Sequence, residues 1–386
     1  GVQTCALPIS LTNLAGDIYK AADTVGRELV GFIPSVTINA GSERAAKGDT
    51  IRSFVTASAT ANNISESMTI PQGDDQTITS STMTLSSAKA VQIPMTGEDV
   101  KHLNNGSGYE TVYGDQIAQA MRTLSNAIES DLATAAYQGA SRAVGTAGTT
   151  PFGSNFNTIA ECRQIIADNG GITGDGRVSL VMNTLAGTNL RNLASLNQVN
   201  TAGSDVMLRQ GTLLDLSGVM LKESAQVVSH TTVGSDDHVV NGAVAVGDTA
   251  IAVDGTQTTD CSAGDVVSFS GSSDNYVVNN QTTSASLVLN ENGARSIIAN
   301  DETIATGASY TGNVMFNQNA IELGMRAPAV PNGGDSADDA MLVVDPHSGL
   351  VFEIRVYKGY RKQMIEVAAC WGTKAWKSDN IALLMG

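Results

Sequence analysis

The residues best suited to chemistry in this sequence are its cysteines and histidines, and they are few and far apart. The four cysteines are Cys5, Cys162, Cys261 and Cys370. A zinc site or a redox pair needs cysteines separated by a few residues, and the sequence has no such pair. We therefore predict no metal and no redox site, and expect Cys162 and Cys370 to be buried as small apolar side chains. His230 and His238 lie among acidic residues, which we interpret as a solvated loop.

The motifs of the common hydrolases are also missing. The sequence has neither G-x-S-x-G nor H-E-x-x-H, and no set of Ser, His and Asp resembles a catalytic triad. Asn183 or Thr184 follows a predicted strand and begins a helix, but without a glycine-rich phosphate motif it is interpreted as a helix cap. Residues 168–176 lack the ligand spacing of a calcium loop. We predict no enzymatic activity and no cofactor.

The charge balance limits the partners that the chain can bind. With 22 basic and 38 acidic residues the net charge is −16, which excludes a sequence-reading DNA-binding protein because such proteins cluster Lys and Arg. A basic region near the end supplies candidates for weak contact with DNA or a neighbouring subunit: Arg355, Lys358, Arg361 and Lys362. No apolar run reaches the ~20 residues that span a bilayer, so no membrane contact is expected.

The elements that must position these residues are organised around a long predicted helix, residues 107–138. Its apolar residues recur every three or four positions, at Ile117, Met121, Leu124, Ile128, Leu132 and Ala135, as on one face of a helix. Ser107 and Glu110 have the spacing of a capping box at its start. The opposite face carries polar residues that we predict to contact a neighbouring subunit: Gln116, Gln119, Arg122 and Asn126.

The segment before this helix contains a second candidate contact. Residues 11–32 predict an amphipathic helical arm, and residues 36–51 a strand, a turn and a strand. Residues 53–85 are rich in Ser and Thr and carry too few apolar residues for a core of their own, which leaves a linker or a long β-hairpin that pairs with another molecule. Weak alternation favours the hairpin, with its tip at Pro71, Gln72, Gly73, Asp74 and Asp75.

The second half of the chain predicts short elements and a small barrel. A helix over 157–168, a strand over 177–182 and a helix with Leu185, Leu190 and Leu193 inward come first. An acidic block follows, with strands predicted at 239–246, 249–253, 265–270, 276–279 and 286–289 and turns between them. Such spacing is typical of a small antiparallel barrel. A strand and a short helix over 313–326 and strands over 341–344, 350–357 and 364–376 complete the chain.

Several long segments resemble a known family when taken together and in order. They are LTNLAGDIYKAADTVGRELVGFIPSVT from Leu11, KGDTIRSFVTASATANNISESMTIPQGDDQTITSSTMTLSSAKAVQIPMTGED from Lys47, NVMFNQNAIELGMRAP from Asn313, and SGLVFEIRVYKGY with WGTKAW near the end. These resemble the major coat proteins of short-tailed temperate phages of the Salmonella type. Residues 1–10 fit no element and resemble a translated sequencing adapter, so we expect them to be foreign.

The resemblance implies an α+β fold of the Hong Kong 97 capsid type. Its parts would be an N-terminal arm at 11–35, P-domain strands at 36–52, an E-loop at 53–85, the P-domain with its spine helix at 86–155, an A-domain at 156–226 and 312–340, an inserted β-barrel domain at 227–311, and closing strands of both domains at 341–386. The barrel insertion coincides with the acidic block that composition delimits.

The resemblance also implies function and partners. Copies would form pentamers and hexamers of an icosahedral shell around double-stranded phage DNA, with a scaffolding protein and a portal protein as partners, in a virion assembled in the bacterial cytoplasm. Some relatives crosslink subunits through an E-loop lysine, but residues 53–85 contain no Lys, so noncovalent contacts are expected. From the residues alone, a phage tail or adhesin-like binding protein stays open as the alternative, and a capsid-associated protease ranks last.

Overall fold

The computed structural model describes residues 11–55, 63–64, 66–70, 79–99, 109–171, 177–197, 216, 218–234, 238–255, 259–283, 285–345 and 347–386. The α-helices whose bounds lie within the described part are α1 (Leu11–Glu28), α2 (Tyr109–Gln138), α3 (Asn157–Asp168), α4 (Thr184–Asn192) and α5 (Ala194–Asn197). Single 3₁₀ turns occur at Ile33–Ser35, Gln318–Ala320 and Ser378–Asn380. The segment 1–10 and the capping residue Ser107 lie outside the described residues.

β-Strands form the larger share of the described secondary structure, so the chain has mixed α and β content. In chain order they are β1 (Thr37–Ala45), β2 (Thr50–Val55), β3 (Thr79–Thr84), β4 (Ser87–Thr96), β5 (Arg142–Val144), β6 (Val178–Met182), β7 (Met220–Glu223), β8 (Ser229–His230), β9 (His238–Val240), β10 (Ala250–Gly255), β11 (Val266–Phe269), β12 (Asn275–Thr283), β13 (Ser286–Leu289), β14 (Thr303–Thr306), β15 (Tyr310–Asn317), β16 (Ile321–Pro328), β17 (Ala337–Val344), β18 (Val351–Gly359), β19 (Lys362–Ala375) and β20 (Ile381–Met385).

The long helix α2 lies on a six-stranded sheet, with its apolar stripe inward as the spacing predicts. Ile117, Met121, Leu124, Ile128 and Leu132 are all buried, while Ala135 is only half-buried. The sheet runs β1-β16-β19-β18-β17, and β4 pairs with β19. Trp371 of β19 donates its Nε1–H to Oδ2 of Asp131 on α2 at 2.8 Å. Helix α1 packs beside α2 through a buried face that includes Leu14, Ile18 and Val25. Burial of these two faces fixes both helices on the sheet.

The base of the predicted hairpin is present and lies on the same sheet. Strands β2 and β3 pair antiparallel from Thr50–Thr84 to Val55–Thr79, which confirms the hairpin at this end. Met83 and Leu85 are buried. The hairpin packs directly on the sheet because Gly324 and Gly372 leave room for it: a Cβ on Gly372 would lie 2.3 Å from the carbonyl oxygen of Thr84. The tip, Pro71 to Asp75, lies outside the described residues.

A second sheet continues into a closed barrel. Strands β7, β6, β15, β20 and β5 lie side by side, and β5 pairs with β12 of the barrel. The barrel closes in the order β11-β14-β9-β10-β13-β12 and back to β11, with neighbours antiparallel. It encloses its own cluster of buried side chains, which includes Ile251, Phe269, Tyr276 and Leu287. The acidic block therefore contains a closed six-stranded barrel, in agreement with the five or more strands predicted.

Four details of the sequence interpretation are wrong. The short helix expected in 313–326 is a single 3₁₀ turn followed by strand β16, whose apolar residues Ile321, Leu323 and Met325 alternate as in a strand although both of its faces are buried. Leu185 points outward and is 56% exposed, whereas Leu190 and Leu193 are buried. The strand expected over 239–246 ends at Val240, because Gly242 adopts a φ of +99°. Strand β20 was not predicted.

Candidate interaction surfaces

The buried cysteines are structural in the described part of the chain. Cys162, Cys261 and Cys370 are buried, which confirms the prediction for Cys162 and Cys370. Burial raises the pKa of the Cys162 thiol to about 12, so this thiol stays protonated and unreactive at neutral pH. Among the described residues, no group of three or more His, Cys, Asp or Glu is placed to hold a metal ion.

The interpretation of His230 and His238 as parts of a solvated loop is wrong. Both side chains are buried. Nε2 of His230 lies 2.7 Å from Oδ1 of the buried Asp265, and its ring packs against the rings of Tyr137 and Tyr310. These contacts join the barrel to the end of α2. The sequence gives no signal for this pair, because His230 and Asp265 are separated by 35 positions and come together only when the barrel closes.

Hydrogen bonds hold Asp265 ionised in this junction. Burial alone would raise the pKa of its carboxyl, but His230 and the backbone N–H groups of Ser262, Gly234 and Val233 bond to the carboxylate and hold the pKa below its ordinary value. Tyr310 donates its hydroxyl hydrogen to the carbonyl oxygen of Gly264 at 2.6 Å. A carboxylate that accepts this many bonds can lock loops together, but without an open cavity it has no access to a substrate.

A second buried carboxylate, Glu129, connects α2 to the chain that follows α1. Its Oε2 and Oε1 atoms accept the backbone N–H groups of Phe32 and Ile33, each at 2.9 Å. Ser224 Oγ lies 3.3 Å from Oε2. Burial raises the pKa of Glu129, and these donors offset part of that effect. Lys222 donates to Ser35 Oγ at 2.8 Å nearby. These hydrogen bonds join α2, the chain after α1 and the residue after β7 at Glu129.

A polar cleft of about 380 Å³ separates α3 from the barrel. Two arginines line it, and both are paired: Arg142 with Asp274 at 3.2 Å, and Arg295 with Asp168. Arg142 also donates to the side chain of Asn169 at 3.0 Å. Because each guanidinium is neutralised by a carboxylate of the same chain, the cleft has no unpaired cation to attract an anionic ligand. We interpret these pairs as braces between the barrel and α3.

Three apolar side chains between β2 and β3 are exposed in the described part of the chain. Ile64, Met68 and Ile70 are 101%, 106% and 86% exposed. Large apolar side chains clustered on a surface are typical of contact sites with other molecules. They precede the predicted tip residues, and Ile64 and Met68 are the most exposed large apolar side chains of the described residues.

The polar face of α2 is exposed where the sequence predicts it, with one exception. Gln116, Gln119 and Asn126 are exposed. Arg122 instead forms two hydrogen bonds to Glu28 at the end of α1, at 2.5 and 2.6 Å. The Gln116 and Asn126 amides are exposed, the Gln119 amide oxygen accepts a hydrogen bond from Arg122 at 3.4 Å, and Arg122 already holds the two helices together within the chain.

The basic region near the end divides into two halves. Arg355 pairs with Asp335 at 2.9 Å and Lys358 with Asp338 at 2.5 Å, so their charges are neutralised by the preceding loop. Arg361 and Lys362 are exposed at the turn between β18 and β19, beside the exposed Tyr360. Arg361 and Lys362 are thus the two of the four basic candidates that have no carboxylate partner among the described residues. In the described part of the chain, no helix has the length and apolar character needed to cross a membrane.

Solved structures with the same architecture are known, although sequence comparison finds none. No protein-family model matches the chain, and no curated protein matches it. A chain from the capsid structure of the cyanophage P-SCSP1u superposes with a TM-score of 0.50 at 11% identity, over 92% of this chain and 88% of that one. A chain of Mycobacterium phage Che8 gives 0.46 at 13% identity, over 89% and 88%. A chain of a virus-like particle from Pyrococcus furiosus gives 0.43 at 6% identity, over 96% and 98%. The chain thus has a phage capsid-like fold.

Proposed function

We propose that this chain is a major capsid protein of the Hong Kong 97 type, which assembles as pentamers and hexamers into an icosahedral shell around double-stranded phage DNA. The observation that carries the proposal is the exposed segment with Ile64, Met68 and Ile70 on a capsid-like fold. Leaving such side chains in water is unfavourable by about 1.5–3 kcal/mol each relative to burial. A neighbouring copy that covers them supplies a driving force for assembly.

The proposed parts follow the family architecture. Residues 11–35 are the N-terminal arm, 36–52 and 86–155 the P-domain with α2 as its spine, 53–85 the E-loop, 156–226 and 312–340 the A-domain, and 227–311 the inserted barrel, with 341–386 closing both domains. The hairpin formed by β2 and β3 supports the E-loop assignment. The closed barrel within 238–306 supports the insertion.

The proposed partners are other copies of the chain, a scaffolding protein, a portal protein and packaged DNA. Contact with DNA is weak and nonspecific, since a net charge of −16 repels phosphates and only Arg361 and Lys362 remain unpaired among the four basic candidates. The protein is structural and noncatalytic, and belongs to a virion assembled in the host bacterial cytoplasm. Its subunits are held by noncovalent contacts, because residues 53–85 contain no Lys.

Electron microscopy of the expressed protein, with and without its scaffolding partner, tests this function. Closed shells or hexamer sheets are expected, whereas trimers, fibres or monomers alone would contradict the proposal and favour a tail or adhesin-like protein. A triple variant with Ile64, Met68 and Ile70 changed to Ser is expected to stay folded and to form no shells. The matched control changes three other exposed apolar residues, Leu185, Val233 and Ile297, to Ser. This control is expected to assemble.

A further inference from the structure

Two glycines are paired on adjacent strands of the six-stranded sheet, directly beneath the base of the hairpin. Gly324 of β16 pairs with Gly372 of β19. A Cβ on Gly372 would lie 2.3 Å from the carbonyl oxygen of Thr84 and 3.0 Å from Cα of Leu85, and a Cβ on Gly324 would lie 2.4 Å from Cε of Met83. Neither glycine has a positive φ. Close approach, and not backbone freedom, is therefore what requires glycine at both positions.

Further contacts hold the same end of the hairpin. The Nζ of Lys374, two residues after Gly372, donates to the carbonyl oxygen of Thr82 at 2.8 Å. Leu85 exchanges backbone hydrogen bonds with the preceding turn, donating to Asp49 and accepting from Gly48, both at 2.9 Å. The hairpin base is thus fixed to the sheet over β3 and the residue after it. The side chains of Ile64, Met68 and Ile70, by contrast, are fully or largely exposed in the described part of the chain.

We propose that the Gly324–Gly372 pair is a positioning site for assembly. By letting the hairpin backbone lie directly on the sheet, it sets the direction in which the segment with Ile64, Met68 and Ile70 leaves the body, and thereby which surface of a second copy these residues reach. This inference rests on the assembly function proposed above. A methyl group on Gly372 displaces the hairpin base because it meets backbone atoms of Thr84 and Leu85, and a displaced base changes the direction in which the chain leaves β2 and enters β3.

Substituting Ala for the two glycines is expected to have different effects, which makes the test specific. Gly372→Ala places its methyl group against backbone, which cannot move aside, whereas Gly324→Ala meets the flexible ends of Met83 and Ile51. Amide hydrogen exchange of residues 79–85 in the unassembled protein is expected to speed up by about tenfold or more in Gly372→Ala, and less in Gly324→Ala. Shells are expected to be absent or misshapen in the first variant and reduced in the second. Gly97→Ala, where a Cβ meets nothing within 4 Å, is the control and should match the wild type.

The proposal is wrong if Gly372→Ala forms wild-type shells, or if its amide hydrogen exchange over residues 79–85 is the same as in the wild type. If Gly372→Ala does not fold, Gly324→Ala and Lys374→Met replace it, since Lys374→Met removes the bond to Thr82 without a clash, and wild-type shells from both overturn the proposal. If the wild type itself forms no shells, the assembly function fails, but the exchange measurement still tests whether the glycines fix the hairpin base.

Discussion

The carboxylate of Glu129 accepts the backbone N–H of Phe32 at 2.9 Å, joining two residues that are 97 positions apart. The second carboxylate oxygen accepts the N–H of Ile33. These bonds satisfy backbone donors at the 3₁₀ turn Ile33–Ser35, where the chain leaves α1 and enters the sheet. A buried N–H that loses its acceptor costs about 1–3 kcal/mol, so this contact fixes the exit of the N-terminal helix on the long helix.

Replacing Glu129 by Gln is therefore expected to destabilise the protein. The Gln side chain keeps one oxygen acceptor and turns an NH₂ group toward the other N–H, which lowers the free energy of unfolding by about 1–3 kcal/mol at neutral pH. Denaturant unfolding followed by circular dichroism measures it. Glu43→Gln at an exposed position is the control and should stay within about 0.5 kcal/mol of wild type. Equal stability of Glu129→Gln and wild type would show that the contact is unimportant.

The same carboxyl predicts a pH dependence. Because burial raises the pKa of Glu129 in the folded state, the folded protein binds this proton more tightly than the unfolded chain does. The part of the stability that depends on protonation of Glu129 is thus complete below its ordinary pKa and is lost as the pH rises through the raised value, while the bonds from Phe32 and Ile33 remain. The difference in unfolding free energy between wild type and Glu129→Gln, measured from about pH 4 upward, should shift against the wild type as the pH rises. An opposite slope would contradict the assigned direction.

Asp265 predicts the reverse dependence at the barrel junction. Its pKa is held low in the folded state, so its contribution to stability is present above the ordinary value of 3.8 and is lost as the pH falls through the lowered value. Asp265→Asn leaves a single side-chain oxygen as acceptor for His230 and three N–H groups. We expect this variant to lower the free energy of unfolding by about 3–5 kcal/mol. Hydrogen exchange over residues 229–234 and 261–265 reports this local loss. Asp301→Asn, at an exposed position of the barrel, should change nothing.

Two ion pairs of similar length should differ in strength because one of them is buried. Arg122–Glu28 has side chains 35% and 47% exposed, so a double-mutant cycle should give a coupling below about 1 kcal/mol that declines with salt. The Arg44–Glu353 pair joins an arginine to a carboxylate that is only 2% exposed. Arg44→Met is expected to lower the free energy of unfolding by about 2–3 kcal/mol, because that carboxylate loses its main partner. Equal couplings for both pairs would contradict this ranking.

The sequence predicts best those elements whose side chains alternate between water and core. Helix α2 is an example, since Ile117 to Leu132 recur at helical spacing and the opposite face is polar. Strand β16 shows the limit of the pattern: Ile321, Leu323 and Met325 alternate with Glu322 and Gly324, but all five are buried, so the alternation does not reveal that both faces are covered. The whole-chain resemblance predicted the capsid-like fold, which periodicity alone would not have done.

The interaction surfaces were only partly predictable for a related reason. Exposed amides such as Gln116 and Asn126 follow from the helical period. The partners of Arg122, Arg355 and Lys358 do not, since Glu28, Asp335 and Asp338 meet them only in the folded chain. Nor could the burial of His230 be predicted, because its partner Asp265 comes from a different strand connection.

The barrel provides the last prediction: residues 227–311 should fold when expressed alone. Its strands close on themselves and enclose a separate cluster of buried side chains, so most of its core needs no help from the rest of the chain. The isolated barrel is nevertheless expected to be less stable than in the intact protein, because Asn290 loses its bonds to the carbonyl oxygens of Gln138 and Ala140, and Tyr276 loses its pairing with Arg142. A dispersed NMR spectrum and a cooperative thermal transition are expected. Phe269→Ala should lower that transition, since removing a buried Phe side chain costs about 3–5 kcal/mol. A random-coil spectrum would show that the barrel depends on β5 and α2 for its fold.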